Sequence, residues 1–395
     1  MHVFFLSNGA PGPRLGGGPR RTHQLWHELR HYFGATNVTL ISVEEMFPLA
    51  RSRRNLLNRV MGRWKDATAN PFQLVSSDRY GLRRFCPASL RRYRSVLQGH
   101  RGQGLCVMEN SRLAPLTKVN SEMGIRTVLA PWSFDSLTHN LVNLVSAYQR
   151  LSACVATRRD RMQVRAAFTS FANDTIFSAS ITHTWLLSRL EAGFLNAAGI
   201  ASGYLPYYPV GEAEECLRAV RSKRRPEAGL FVTCGGANDQ NGLALKAFLH
   251  ELRKADVPPG ARIAIVGVRE IPEHWIAHLG ERIEFLGRLP EDEFDALLTR
   301  AHAVIIPQTC GFGCITRVPD MLCAGIPILA NAIVANPTGE VPGVCYVANT
   351  PRPWATALHE SMANVPKALS GTDFNIWHEA QRSAVRRAFA SVEVP

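Results

Sequence analysis

A chain of 395 residues with 46% hydrophobic and 19% charged side chains is too long for one ordinary core and too apolar for disorder, so two globular domains are expected. No apolar run reaches the roughly 18 residues of a membrane span, and nine cysteines without paired C-x-x-C spacing fit neither a disulfide framework nor a zinc cluster. The net charge of +13 suits an acidic partner: a nucleotide diphosphate, an anionic lipid or a nucleic acid.

The opening MHVFFLSNGAPGP is apolar for only a few residues and lacks a basic leader, so it reads as a first strand and not as a signal peptide. A strand over 3–7, a glycine-rich loop over 9–18, a helix over 20–33 and a strand over 38–43 make the opening of a doubly wound α/β sheet. In the helix, Leu25, Trp26, Leu29, Tyr32 and Phe33 form an apolar stripe. Residues 46–100 are basic, show no clear strand, and read as a helical insertion. Alternation then returns: strand 105–109, helix 114–122, strand 126–131, a helical stretch 141–168, strand 175–178, helix 184–198 and a short apolar stretch 204–206.

Tyr207-Tyr208-Pro209 closes this half. The polar run that follows reads as a linker and a helix, with Arg218–Arg225 as its solvated cations. A second α/β unit comes next: strand 229–234, helix 243–253, strand 262–266, helix 273–278, strand 283–286, helix 291–301 and strand 303–306. Strands 327–330 and 344–347 complete it, and an amphipathic helix 376–390 ends the chain. The expected division is 1–209 for the first domain, 210–372 for the second, and 373–395 for a terminal helix packing back on the first. The fold class is α/β, with two doubly wound Rossmann-like domains facing each other across a cleft bordered by the carboxyl ends of both sheets.

The most informative stretch is 310–331, CGFGCITRVPDMLCAGIPILAN: a glycine-rich turn, a short helix and a buried strand. Backbone N–H groups at such a turn and helix start attract a diphosphate. Asp320, one turn in, stands where the diol of a nucleotide sugar could be bound.

With the preceding ERIEFLGRLPEDEFDALLTRAHAVIIPQ, this stretch resembles the donor domain of GT-B-fold glycosyltransferases of the group 1 (family 4-like) class. The resemblance implies a nucleotide-sugar donor held by Gly311, Gly313, Ile315, Thr316, Arg317 and Asp320. Asp320 stands for the family's ribose-binding glutamate and Arg317 for a cation near the diphosphate. The turn Gly235-Gly236-Ala237-Asn238-Asp239-Gln240-Asn241-Gly242 lacks the family's two cations and leaves Gly235, Asn238 and Asn241 toward the diphosphate. The family's first acid falls at Phe312 and is missing. The implied activity is transfer of a sugar to a glycan or lipid-linked acceptor in bacterial polysaccharide or glycoconjugate synthesis. No cofactor and no metal are expected, in the cytoplasm or at the inner face of the membrane.

On the acceptor side, Gly16, Gly17 and Gly18 resemble the family's N-terminal glycine loop, with Arg14, Arg20 and Arg21 beside it to favour an anion. His23 faces either the cleft or the surface. PWSFDSLTHN follows a strand, and Asp135 is the candidate general base or substrate-orienting acid, with His139 second. A retaining enzyme needs no such base, and both stereochemical outcomes stay open. Glu109-Asn110 lies at another strand end. The basic, leucine-bearing segment 51–65 suits either contact with an anionic membrane or a solvated surface helix. The alternative to an enzyme is a non-catalytic binding protein with a degenerate GT-B fold acting through its basic surface. No nucleic-acid partner is expected, because no recognition motif appears.

Overall fold

The structure is a computed structural model, and it describes residues 1–9, 11–12, 17–47, 85–131, 179, 181–235, 239–254, 257–268, 280–308, 313, 315–335, 337–347 and 353–393. Its described strands form two six-stranded parallel sheets. The first contains β1 (His2–Ser7), β2 (Val38–Ser42), β3 (Gly104–Met108), β4 (Arg126–Leu129), β5 (His183–Leu186) and β6 (Ser202–Tyr204), in the order β2-β1-β3-β4-β5-β6. The second contains β7 (Leu230–Cys234), β8 (Arg262–Val266), β9 (Ile283–Gly287), β10 (Ala303–Ile306), β11 (Ile328–Asn331) and β12 (Val344–Val347), in the order β12-β11-β10-β7-β8-β9.

The central strands are continuous apolar runs because helices cover both faces of a parallel sheet. Val3 pairs with Val38 on one side and Leu105 on the other, and Phe231 is flanked by Ile263 and Ala303. Each of these central residues is buried. The edge strand β9 reads IEFLG, and its Glu284 and Phe285 are exposed. In each sheet the strand order reverses once: between β1 and β3 in the first, between β7 and β10 in the second. Such reversals open a crevice at the carboxyl ends of the strands.

The terminal helix Gly371–Ala390 belongs to both cores. Phe374 packs with the second sheet, Val385 and Phe389 with the first, and Trp377 touches both. Its His378 Nε2 lies 3.1 Å from the Pro209 carbonyl oxygen at the crossing between the halves.

Several elements differ from the sequence expectation. The expected helix 184–198 divides into β5 and a helix Arg189–Ala197. Ser188 makes the break, its hydroxyl accepting from Glu191 N–H at 3.3 Å. The apolar run before it is buried in the sheet, and a short buried run has the same apolar signature in a strand as in a helix. The expected helix 114–122 is a 3-10 turn Ser111–Leu116, with Pro115 inside, followed by Thr117–Glu122. Gly17 and Gly18 are not loop but the first turn of the helix Gly17–Phe33. The helix Pro353–Ala363 carries no sequence expectation and packs Trp354 and Leu358 under the second sheet.

The cations of 218–225 are not simply solvated. Arg221 donates to the carbonyls of Cys323 (2.8 Å), Leu369 (2.9 Å) and Leu322, and Arg224 donates to Leu298 O at 2.8 Å. Leu322 and Cys323 stand at the carboxyl end of the helix Arg317–Cys323 and Leu298 near that of the helix Glu291–Arg300, so these arginines also meet the negative end of a helix dipole, while Leu369 lies just before the terminal helix. The helix Glu212–Ser222 is thereby fixed to the second half.

Candidate functional site

The strand reversal in the second sheet places Cys234 and Gly235 at the end of β7 beside Pro307 at the end of β10. With Thr233, Leu245, Ile265 and Arg317 they line a small cavity. The backbone is tight there. Gly267 follows β8 at a φ of +86°, and a Cβ at this position would stand 2.3 Å from the Gly235 carbonyl oxygen. Gly267→Ala is expected to cost about 3 kcal/mol or more, from left-handed strain plus displacement of the turn at Gly235. Chemical denaturation with unchanged m-value checks it.

The helix Arg317–Cys323 opens on the same cavity. It has only seven residues, so its dipole is worth at most about 1 kcal/mol to an anion, less than the ~1.5–3 kcal/mol of one charged hydrogen bond. Arg317 is therefore the larger attraction. It is half-buried, and burial lowers its pKa from the usual arginine range. Cys234 lies in the field of Arg317 and Arg20, and burial nevertheless pushes its thiol up to about 11. Gly313 sits at a φ of +70°, while Ile315 and Thr316 run into the helix start.

Asp320 is fully buried. Its carboxylate is held by two groups from the first half: Tyr207 OH donates to Oδ1 at 2.9 Å, and the Arg20 guanidinium pairs with Oδ2. Burial raises the Asp320 pKa against the opposing pull of Arg20, and the carboxylate in turn raises that of Arg20. A third link joins the halves, Gly313 N–H donating to Glu191 Oε1 at 3.3 Å, and a fourth runs from Arg189 N–H to Pro337 O at 2.6 Å.

On the first-half side, the reversal point is organised by Glu109, buried at the end of β3. It accepts from Ser7 Oγ at 2.7 Å and from Thr22 Oγ1, tying the helix Gly17–Phe33 to the carboxyl edge of the sheet. That tie aims Arg20, in the helix's first turn, at Asp320. Arg21 turns the other way into the core, toward Gln24 and Pro206 O. His23 is half-buried, its ring centroid 6.5 Å from that of His27, and burial lowers its pKa.

Of the expected donor residues, Gly235 and Arg317 line the cavity. Asp320 lies one turn into the helix that Arg317 opens and is paired with Arg20, Gly313 bonds Glu191 of the first half, Ile315 and Thr316 lead into that helix, and Gly18 lies in the helix that bears Arg20. Asn241 lies in the first turn of the helix Asp239–Lys254, which starts inside the expected turn. Asp135, His139, Gly16, Asn238 and Gly311 lie outside the described residues, as does the basic segment 51–65. Arg20 and Tyr207 as partners of Asp320, and Glu191 as partner of Gly313, are not signalled by any local motif; only the cation beside the glycine loop pointed toward Arg20. No described helix is long and apolar enough to cross a membrane.

Solved structures share this architecture. Anabaena HepE in complex with UDP matches with a TM-score of 0.57 over 100% of this chain and 100% of that one, at 11% identity. The α,α-trehalose 6-phosphate synthase of Burkholderia multivorans matches with 0.54 over 99% and 95%, at 12% identity. The lipopolysaccharide outer core galactosyltransferase WaaB matches with 0.51 over 98% and 95%, at 11% identity. The fold is GT-B: two Rossmann-like halves facing each other across a cleft, as the sequence resemblance implied. No protein-family model and no curated protein matches the sequence.

Proposed function

We propose that the protein is a glycosyltransferase that takes a sugar from a nucleotide-diphosphate donor and passes it to a glycan or lipid-linked acceptor. The observation that carries this reading is Arg317 on a cavity at the strand reversal of a GT-B fold, with Asp320 one turn further along its helix paired to Arg20 of the first half. Structures of the same fold contain UDP, UDP-glucose or UDP with glucose.

As the glycosidic bond breaks, the diphosphate gains charge, and Arg317 with the backbone amides at the start of its helix stabilises it without a metal. Asp320 accepts hydrogen bonds from the nucleotide's ribose hydroxyls. The first half supplies the acceptor, with Asp135 or His139 as base if the reaction inverts. The Gly313 turn, with its left-handed backbone, accommodates closure of the halves, which excludes water. A hexosyl donor, a role in polysaccharide or glycoconjugate assembly, and contact of 51–65 with the inner face of an anionic membrane complete the proposal.

The test is a thermal-shift panel of UDP-, GDP- and TDP-sugars. One nucleotide family is expected to stabilise the protein, by about 3 kcal/mol at a hundred times its dissociation constant. Stabilisation by none of them would favour the non-catalytic reading.

A further inference from the structure

The donor turn of the second half carries no cation over residues 235–242, yet a nucleotide diphosphate brings two to three negative charges into the same crevice. Arg317 alone balances part of that charge. A second cation, within electrostatic reach of Cys234 on the cavity wall, comes from the opposite half of the molecule. Arg20 sits in the first turn of the helix Gly17–Phe33 and reaches across to Asp320, and Arg20 and Arg317 both act on the Cys234 thiol at the end of β7. Of Arg20's five N–H donors, that on Nε is buried without a hydrogen-bond partner. The side chain therefore has capacity beyond its ion pair. Glu109, through Thr22, fixes the helix from which it projects.

We propose that Arg20 is the second diphosphate-binding cation of the donor site, supplied by the first half, and that Asp320 holds it in place until the donor arrives. This rests on the donor reading above. On binding, the ribose hydroxyls take the Asp320 carboxylate and the diphosphate takes the guanidinium, so each member of the pair exchanges its partner for one of matching charge or polarity. A planar guanidinium engages phosphate oxygens in a fork, which a lysine at the same place does not reproduce. The exchange couples donor arrival to the contact between the halves: only a ligand carrying nucleoside hydroxyls and a diphosphate together satisfies both groups at once. A sugar phosphate or a bare nucleoside satisfies one of them and leaves the other to compete.

The experiment compares UDP with uridine, and GDP and TDP with their nucleosides, by calorimetric titration of wild type, Arg20→Ala and Arg20→Lys, each first shown to melt cooperatively. In Arg20→Ala the diphosphate is expected to bind at least ~10-fold more weakly, while the nucleoside binds equally well or better because Asp320 is freed. Arg20→Lys is expected to recover only part of the loss. If Arg20 merely latches the two halves, its removal instead tightens nucleoside and diphosphate alike, and the ratio of their affinities stays at the wild-type value; that result overturns the inference while the donor reading stands. Wild type binding none of the three diphosphates removes the donor reading and the inference with it. Should Arg20→Ala fail to melt cooperatively, the diphosphate-to-nucleoside ratio in Arg20→Lys decides, an unchanged ratio counting against the proposal.

Discussion

Asp320→Ala is expected to weaken nucleoside diphosphate binding by about 10- to 100-fold, the ~1.5–3 kcal/mol of hydrogen bonds to a charged group. The same substitution has a structural cost that must be separated from this loss. Removing one partner of a fully buried ion pair costs about 3–5 kcal/mol, because the other charge is stranded. Here Asp320 is 1% exposed but Arg20 keeps 23% of its side chain in solvent, so Arg20 can turn to water. Tyr207 loses an acceptor as well. Relief of the carboxylate's burial, which already raises its pKa, offsets part of this. The expected net destabilisation is nearer 1–2 kcal/mol. Asp320→Asn keeps an acceptor for Tyr207 and should fall between wild type and alanine in both readouts. Denaturant titration reads the stability and calorimetry the affinity. A variant that loses affinity while holding most of its stability supports a ligand-binding role, and the reverse pattern a purely architectural one.

Arg221→Ala is expected to be the largest stability lesion outside the cavity. Arg221 closes the carboxyl end of the helix Arg317–Cys323 with hydrogen bonds to the Leu322 and Cys323 carbonyls, bonds the Leu369 carbonyl before the terminal helix, and packs over Phe374, 5.4 Å from the ring centroid. Three charged hydrogen bonds would sum to more than 4 kcal/mol if additive, but water reaches a half-buried site and replaces part of each. An expected loss of about 3 kcal/mol corresponds to a fall of roughly 6–12 °C in Tm for a domain of this size. Arg221→Lys should recover only a fraction, since one ammonium cannot reach three carbonyls in a fork. The check is calorimetric melting of both variants. A change below about 0.5 kcal/mol would mean that the carbonyls are satisfied by water at no cost.

Both predictions concern groups whose importance is only half visible in the sequence. The strands β1, β3, β7, β8 and β10 were legible because parallel strands buried on both faces leave continuous apolar runs. The helix Arg317–Cys323 was legible from the Ala-Gly-Ile-Pro that stops it and opens β11. β5 was not, because its four residues sit in an apolar stretch that runs straight on to the next helix, and only Ser188 marks the boundary. The helix Pro353–Ala363 was not legible either, because its apolar residues do not gather on one clear face. Asp320 was singled out from its own motif, but its partners were not. Arg20 lies 300 residues away along the chain and Tyr207 lies 113 away, and pairings across such separations have no local pattern. The arginines of 218–225 look solvated in the sequence because a cation bonded to another element's carbonyls has the same one-dimensional pattern as a solvated one.

The most direct test of a donor site at Asp320 is calorimetric titration of the nucleoside diphosphate selected by the panel, into wild type and Asp320→Ala, at low and at moderate salt. A site built from Asp320, Arg317 and fixed amides in a crevice predicts wild-type binding that survives moderate salt and is largely lost in Asp320→Ala. Affinity that falls steeply with salt and is the same in both proteins would contradict it, since that is the behaviour of a basic surface binding any polyanion.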